Sequence, residues 1–123
     1  MNLRRSALLF AFAAASLFAA DPAVTQAKKQ IAEKNYDGAI TGLQTASKAN
    51  PKSAEIKATL VDAMLAKADS IMYNDALPPR SKYPDALRGY RQVLTIDKEN
   101  AKAKASISTI EGIYKSMGRP IPQ

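Results

Sequence analysis

From Asp21 to Met117 the apolar residues recur three and four positions apart, in five segments separated by prolines, asparagines and serines. This is the period of a helix with one buried face, and no alternating β-branched run long enough for a strand interrupts it. The first segment has Asp21 as N-cap and Pro22 at the first helical position, with Val24, Ala27 and Ile31 on one side. A turn at Lys34-Asn35 leads to the second, which carries Tyr36, Ala39, Ile40, Leu43 and Ala46. It stops at Asn50-Pro51, because the residue before a proline disfavours helical geometry. Ser53 caps the third, whose stripe of Ile56, Leu60, Met64 and Leu65 runs on through Ala68, Ile71 and Met72. Leu77-Pro78-Pro79 breaks it. A fourth helix is predicted from near Ser81, with Pro84 in its first turn and Ala86, Leu87, Tyr90, Val93 and Leu94 inward. Asn100 caps a fifth, with Ala103, Ile107, Ile110, Tyr114 and Met117 inward and Gly118 and Pro120 ending it. The predicted class is all-α.

An internal repeat narrows this further. Residues 36–58 laid beside 83–105, a shift of 47, match Tyr36 with Tyr83, Ala39 with Ala86 and Gly42 with Gly89. Ala54, Lys57 and Ala58 match Ala101, Lys104 and Ala105, and the caps Ser53 and Asn100 coincide. Ile40 and Leu43 stand opposite Leu87 and Tyr90, so bulky residues face bulky ones. Alanine at a helix crossing lets two helices approach, and a bulky residue a turn later fills the groove beside it.

These residues resemble the tetratricopeptide repeat, a helix–turn–helix unit with a period of about 34 residues. Tyr36-Asp37-Gly38-Ala39-Ile40 is similar to the opening of that family's second helix, and Leu43, Ala46, Asn50 and Pro51 follow its bulky, small and closing-turn positions. The second copy reads Tyr83-Pro84-Asp85-Ala86-Leu87, then Tyr90, closing with Asp97-Lys98-Glu99-Asn100. The first helix of each pair departs from the family, lacking its Trp and Leu-Gly positions. The resemblance implies antiparallel helix–turn–helix repeats, two units plus a C-terminal closing helix. The longer shift places about 13 extra residues at 70–82. Two units and a closing helix fall short of the three repeats usually needed for stability, so either self-association or support from the long third helix and its loop is expected.

The resemblance also implies a concave groove lined by the first, third and fifth helices. By position it would be lined by Lys28, Ile31, Thr59, Asp62, Leu65, Lys102, Ser106 and Thr109, together with Val24, Ala58 and Ala105. Some family members clamp a peptide carboxylate with Lys, Asn and Arg there. The matching positions, Val24, Lys28, Thr59, Lys102 and Ser106, keep only two lysines, so that clamp is absent or much altered. What remains is a mixed apolar and polar groove suited to a peptide or a helix.

Ahead of the repeats, Arg4 and Arg5 precede an uncharged run of Ala, Leu and Phe at residues 7–20. This is the layout of a secretory signal peptide, and the run is shorter than the roughly 18 apolar residues of a membrane span. Cleavage is expected near Ala19 or Ala20, although Phe18 or Leu17 then stands three residues before the cut and Ala13-Ala14-Ala15 is a smaller-residue site. The competing reading is an uncleaved N-terminal anchor. A cut there leaves residues 21–123 as one domain, exported to a periplasm or secreted. The charge of +7 then falls to +5, because Arg4 and Arg5 leave and 16 basic residues face 11 acidic ones.

No cysteine and no histidine is present. Disulfides, thiolate chemistry and Cys- or His-ligated metal are therefore excluded, and the commonest general base is missing. Asp62 and Asp69 are seven apart on one helix, roughly 10 Å in rise, wide of the roughly 5–9.5 Å of glycosidase carboxylate pairs, and are expected to solvate it. Arg88-Gly89-Tyr90-Arg91 interleaves basic and aromatic residues as single-strand nucleic-acid binders do, but Tyr90 occupies a core position and the arginines face solvent. Neither an enzyme nor a nucleic-acid binder is expected, and no cofactor or metal is implied. The expected function is a non-enzymatic scaffold of the cell envelope docking a protein or peptide. The alternative is a basic adaptor adhering to an anionic envelope surface, lipid headgroups or acidic polysaccharide.

Overall fold

The computed structural model describes residues 21–123 and is all-helical. The signal-peptide expectation for residues 1–20 lies outside the described residues. Five helices follow in order: α1 (Pro22–Ala32), α2 (Tyr36–Ala49), α3 (Ala54–Met72), α4 (Pro79–Ile96) and α5 (Ala101–Ser116). None is long and apolar enough to cross a membrane.

The helix starts follow from local chemistry. The side chains of Asp21, Asn35, Ser53 and Asn100 accept from Ala23, Gly38, Ile56 and Ala103 backbone N–H groups at 2.8, 3.1, 3.2 and 2.9 Å. Each such cap contributes about 1 kcal/mol. α4 has no side-chain cap and starts at Pro79, two residues ahead of the expected Ser81, because the Pro78 carbonyl already takes the Ser81 and Lys82 amides. Pro84 consequently lies in the second turn and leaves the Arg80 carbonyl without its helical donor.

Two helix ends share one hydrogen-bond pattern. At the close of α1, Lys34 and Asn35 N–H groups reach back to the Ile31 and Gln30 carbonyls. At the close of α5, Gly118 and Arg119 do the same to Lys115 and Tyr114. The pattern needs a left-handed residue, and these are Lys34 at φ 64° and Gly118 at φ 65°. Gly118 adopts it freely, whereas Lys34 brings a Cβ into a conformation that disfavours one. Asn35 both closes α1 and caps α2. A Cβ on Gly38 would meet its side chain at 2.6 Å, so any other residue there would make the capping side chain shift.

The core divides in two. Val24, Ala27, Ala39, Leu43, Ile56, Leu60 and Ala63 pack α1 and α2 against the first half of α3. Val61, Leu65, Ala68 and Met72 of α3 pack against Ala86, Leu87, Tyr90 and Val93 of α4 and Ala103, Ile110 and Tyr114 of α5. Met64 and Ile96 border both, so α3 is the beam that joins them. The shift of 47 is visible in burial: Ala39 and Ala86, Leu43 and Tyr90, Ile56 and Ala103, Ala63 and Ile110 are buried pair by pair. One expectation is corrected. Met117 is 45% exposed rather than inward, because α5 ends at Ser116 and the chain turns at Gly118, and Ile121 of the tail packs against the core instead.

Candidate functional site

A cleft opens where α2 and α4 flank the second half of α3. Each helix gives it a stripe at i, i+3, i+4 and i+7: Asp37, Ile40, Thr41 and Gln44 from α2; Met64, Lys67, Ala68 and Ile71 from α3; Asp85, Arg88, Gly89 and Gln92 from α4. That spacing is one face of a helix, so three faces converge on a space of about 550 Å³. Ile40, Met64 and Ile71 are half-buried, contributing to the cores while leaving apolar surface in the cleft. Ala68 and Gly89 bring α3 and α4 close: a Cβ on Gly89 would stand 3.0 Å from that of Ala68.

The cleft is electrically balanced. Lys67 reaches across from α3 to Asp37 of α2 at 2.6 Å, and Arg88 pairs with Asp85 along α4 at 3.0 Å. Both pairs are exposed, and each is worth about 0–1 kcal/mol. Their placement matters more than their strength, because each wall of the cleft offers a donor and an acceptor beside an apolar floor.

Behind the cleft a polar clasp ties three helices. Tyr90, wholly buried in α4, donates its hydroxyl to Asp69 Oδ1 of α3 at 2.5 Å and lies 3.5 Å from the Met72 sulfur. Lys102 of α5 donates to Asp69 Oδ2. Burial pushes the Tyr90 hydroxyl well above the usual tyrosine range, and the hydrogen bond and charge of Asp69 push it the same way against a smaller opposing influence from Ser106. Asp69 is therefore not a solvating carboxylate, as its sequence position suggested. Arg88 is exposed as expected, but Arg91 is half-buried and donates to the Pro122 carbonyl at 2.8 Å, holding the C-terminal tail on α4.

The residues expected to line a groove along α1, α3 and α5 differ in exposure. Lys28, Asp62, Lys102 and Thr109 are exposed, and Ile31 and Ser106 are half-buried. Thr59 and Leu65 are buried and present almost no surface: the Thr59 hydroxyl bonds back to the Glu55 carbonyl, and Leu65 belongs to the α3–α4–α5 core. Lys102 is engaged by Asp69. None of the eight lines the α2–α3–α4 cleft. The signal that could have located the cleft was the polar half of each stripe, Asp37-Thr41-Gln44 and Asp85-Arg88-Gln92, which periodicity alone assigns to solvent.

Among the described residues no three His, Cys, Asp or Glu side chains group as a metal site. No family model matches the chain, and no curated protein or solved structure matches it at a significant level.

Proposed function

We propose that the chain is a non-enzymatic interaction module of tetratricopeptide-repeat type, exported to the cell envelope, that docks a peptide or partner helix. The observation that carries this reading is the α2–α3–α4 cleft. Its half-buried floor of Ile40, Met64 and Ile71 suits the apolar side chains of such a segment. The Asp37–Lys67 and Asp85–Arg88 pairs offer its polar flank hydrogen bonds of both kinds. In this reading the docking face is taken on the opposite side of α3 from the groove expected along α1, α3 and α5.

Peptides displayed as a library and selected on the purified chain test the reading. Filling the cleft from its exposed rim with Thr41→Trp or Gln92→Trp should release them, and Thr109→Trp should not. Selected peptides released only by Thr109→Trp would return docking to the α1–α3–α5 side. A chain that selects no peptide would remove the function itself.

A further inference from the structure

Past α5 the chain docks a short segment of itself on α4. Gly118 turns the backbone at φ 65°, and Arg119 N–H closes the turn on the Tyr114 carbonyl. Residues 119–123 carry no helix, and Pro120 and Pro122 hold the residues before them in extended geometry. Ile121 then packs against the α3–α4–α5 core, and Arg91 donates to the Pro122 carbonyl at 2.8 Å.

The chemistry of this seat suits one kind of segment. Pro120 and Pro122 have no backbone N–H, so they ask no acceptor of α4, and the carbonyl of Pro122 takes the donor that Arg91 offers. Among the described residues that is the one hydrogen bond from the helices to residues 120–123. One hydrogen bond and one half-buried isoleucine make a light latch. A guanidinium has five N–H donors, so others remain for a longer ligand. Beside the segment a space of about 220 Å³ stays open, lined on α4 by Pro84, Arg88, Arg91, Gln92 and Thr95. Pro84, Arg88, Arg91 and Thr95 are spaced i, i+4, i+7 and i+11, one face of the helix. Arg88 and Gln92 also border the peptide cleft, whereas Pro84, Arg91 and Thr95 do not.

We propose that this flank of α4 is a second docking surface, for extended partner segments that carry an aliphatic residue between two prolines. Residues 120–122 occupy it in the free chain. The partner's aliphatic side chain takes the place of Ile121, and its carbonyl takes the Arg91 guanidinium. The contact is independent of the cleft and of any peptide bound there.

The probe is the chain's own segment supplied in trans, the six-residue peptide Gly-Arg-Pro-Ile-Pro-Gln, blocked at both ends and fluorescently labelled. Ile121→Glu removes the apolar anchor and frees the seat. Anisotropy should show the peptide binding this variant at least about tenfold more tightly than wild type, and Ile121→Ala should give a smaller gain in the same direction. Adding Arg91→Gln to Ile121→Glu should weaken binding at least about tenfold, and a peptide with glutamate for isoleucine should not bind. Adding Thr41→Trp, which fills the cleft, should leave binding within about twofold. Equal binding to wild type and Ile121→Glu, indifference to Arg91→Gln, or release by Thr41→Trp would overturn the proposal. A wild-type dimer that Ile121→Glu dissolves would also overturn it, by giving the seat to a second copy of the chain.

Discussion

The hydroxyl of Tyr90, at the centre of α4, is held by the carboxylate of Asp69 on α3, and the same carboxylate takes Lys102 of α5. α5 packs chiefly on α4, and this polar link adds to the core it shares with α3. Tyr90→Phe keeps the ring in the core and removes the donor, leaving Asp69 to Lys102 alone. A loss of about 1–2 kcal/mol is expected, measured as a lower urea midpoint with unchanged slope.

The same pair sets a response to alkali. The Tyr90 hydroxyl loses its proton less readily in the folded chain than at the ordinary value of about 10. Below that pH both states keep the proton, and the contribution is fully present. Above it the unfolded chain ionises first, so stability falls as pH rises, with a limiting slope of about 1.4 kcal/mol per pH unit for this one group. The difference in stability between wild type and Tyr90→Phe should therefore shrink above that pH. An absorbance titration of wild type minus Tyr90→Phe should show a tyrosine ionising late.

Gly42 and Gly89 match in the repeat but not in space. A Cβ on Gly42 meets nothing within 4 Å, whereas on Gly89 it meets Ala68 at 3.0 Å. Gly42→Ala should raise stability by about 0.5–1 kcal/mol through helix propensity alone. Gly89→Ala should lower it, because a methyl on Ala68 cannot rotate aside and α3 and α4 must part. Thermal melts of the two variants, moving in opposite directions, check this.

Lys34 holds a left-handed conformation that its counterpart Gly118 adopts without cost. Lys34→Gly should stabilise the chain by about 0.5 kcal/mol or more, after allowing for the greater freedom glycine gives the unfolded state. Chemical denaturation reads it, and Lys34→Ala, which keeps a Cβ, should not gain.

Much of the fold was legible because it rests on local signals. Asp21-Pro22, Ser53 and Asn100 set three helix starts through caps that depend only on neighbouring residues, and the shift of 47 paired Ala39 with Ala86 and Leu43 with Tyr90 before any packing was known. The site was not legible in the same way. Which side of α3 stays open depends on how α2 and α4 flank it, and that is a tertiary fact. Thr59 and Leu65 looked like groove residues from their place in a repeat, yet α3 buries both. Asp69 looked solvated until Tyr90, 21 positions away, closed on it. Met117 continued the apolar stripe of α5 but is its C-cap, one residue past the last helical residue, Ser116.

The central claim is that a peptide docks between α2 and α4 on the floor of α3. Mapping backbone amide shifts of the labelled chain during titration with a selected peptide tests it most directly. The expected result is movement concentrated at Ile40, Gln44, Lys67, Ile71 and Gln92, with Lys28, Asp62 and Thr109 still. Shifts gathered instead at Lys28, Asp62 and Thr109 would contradict it.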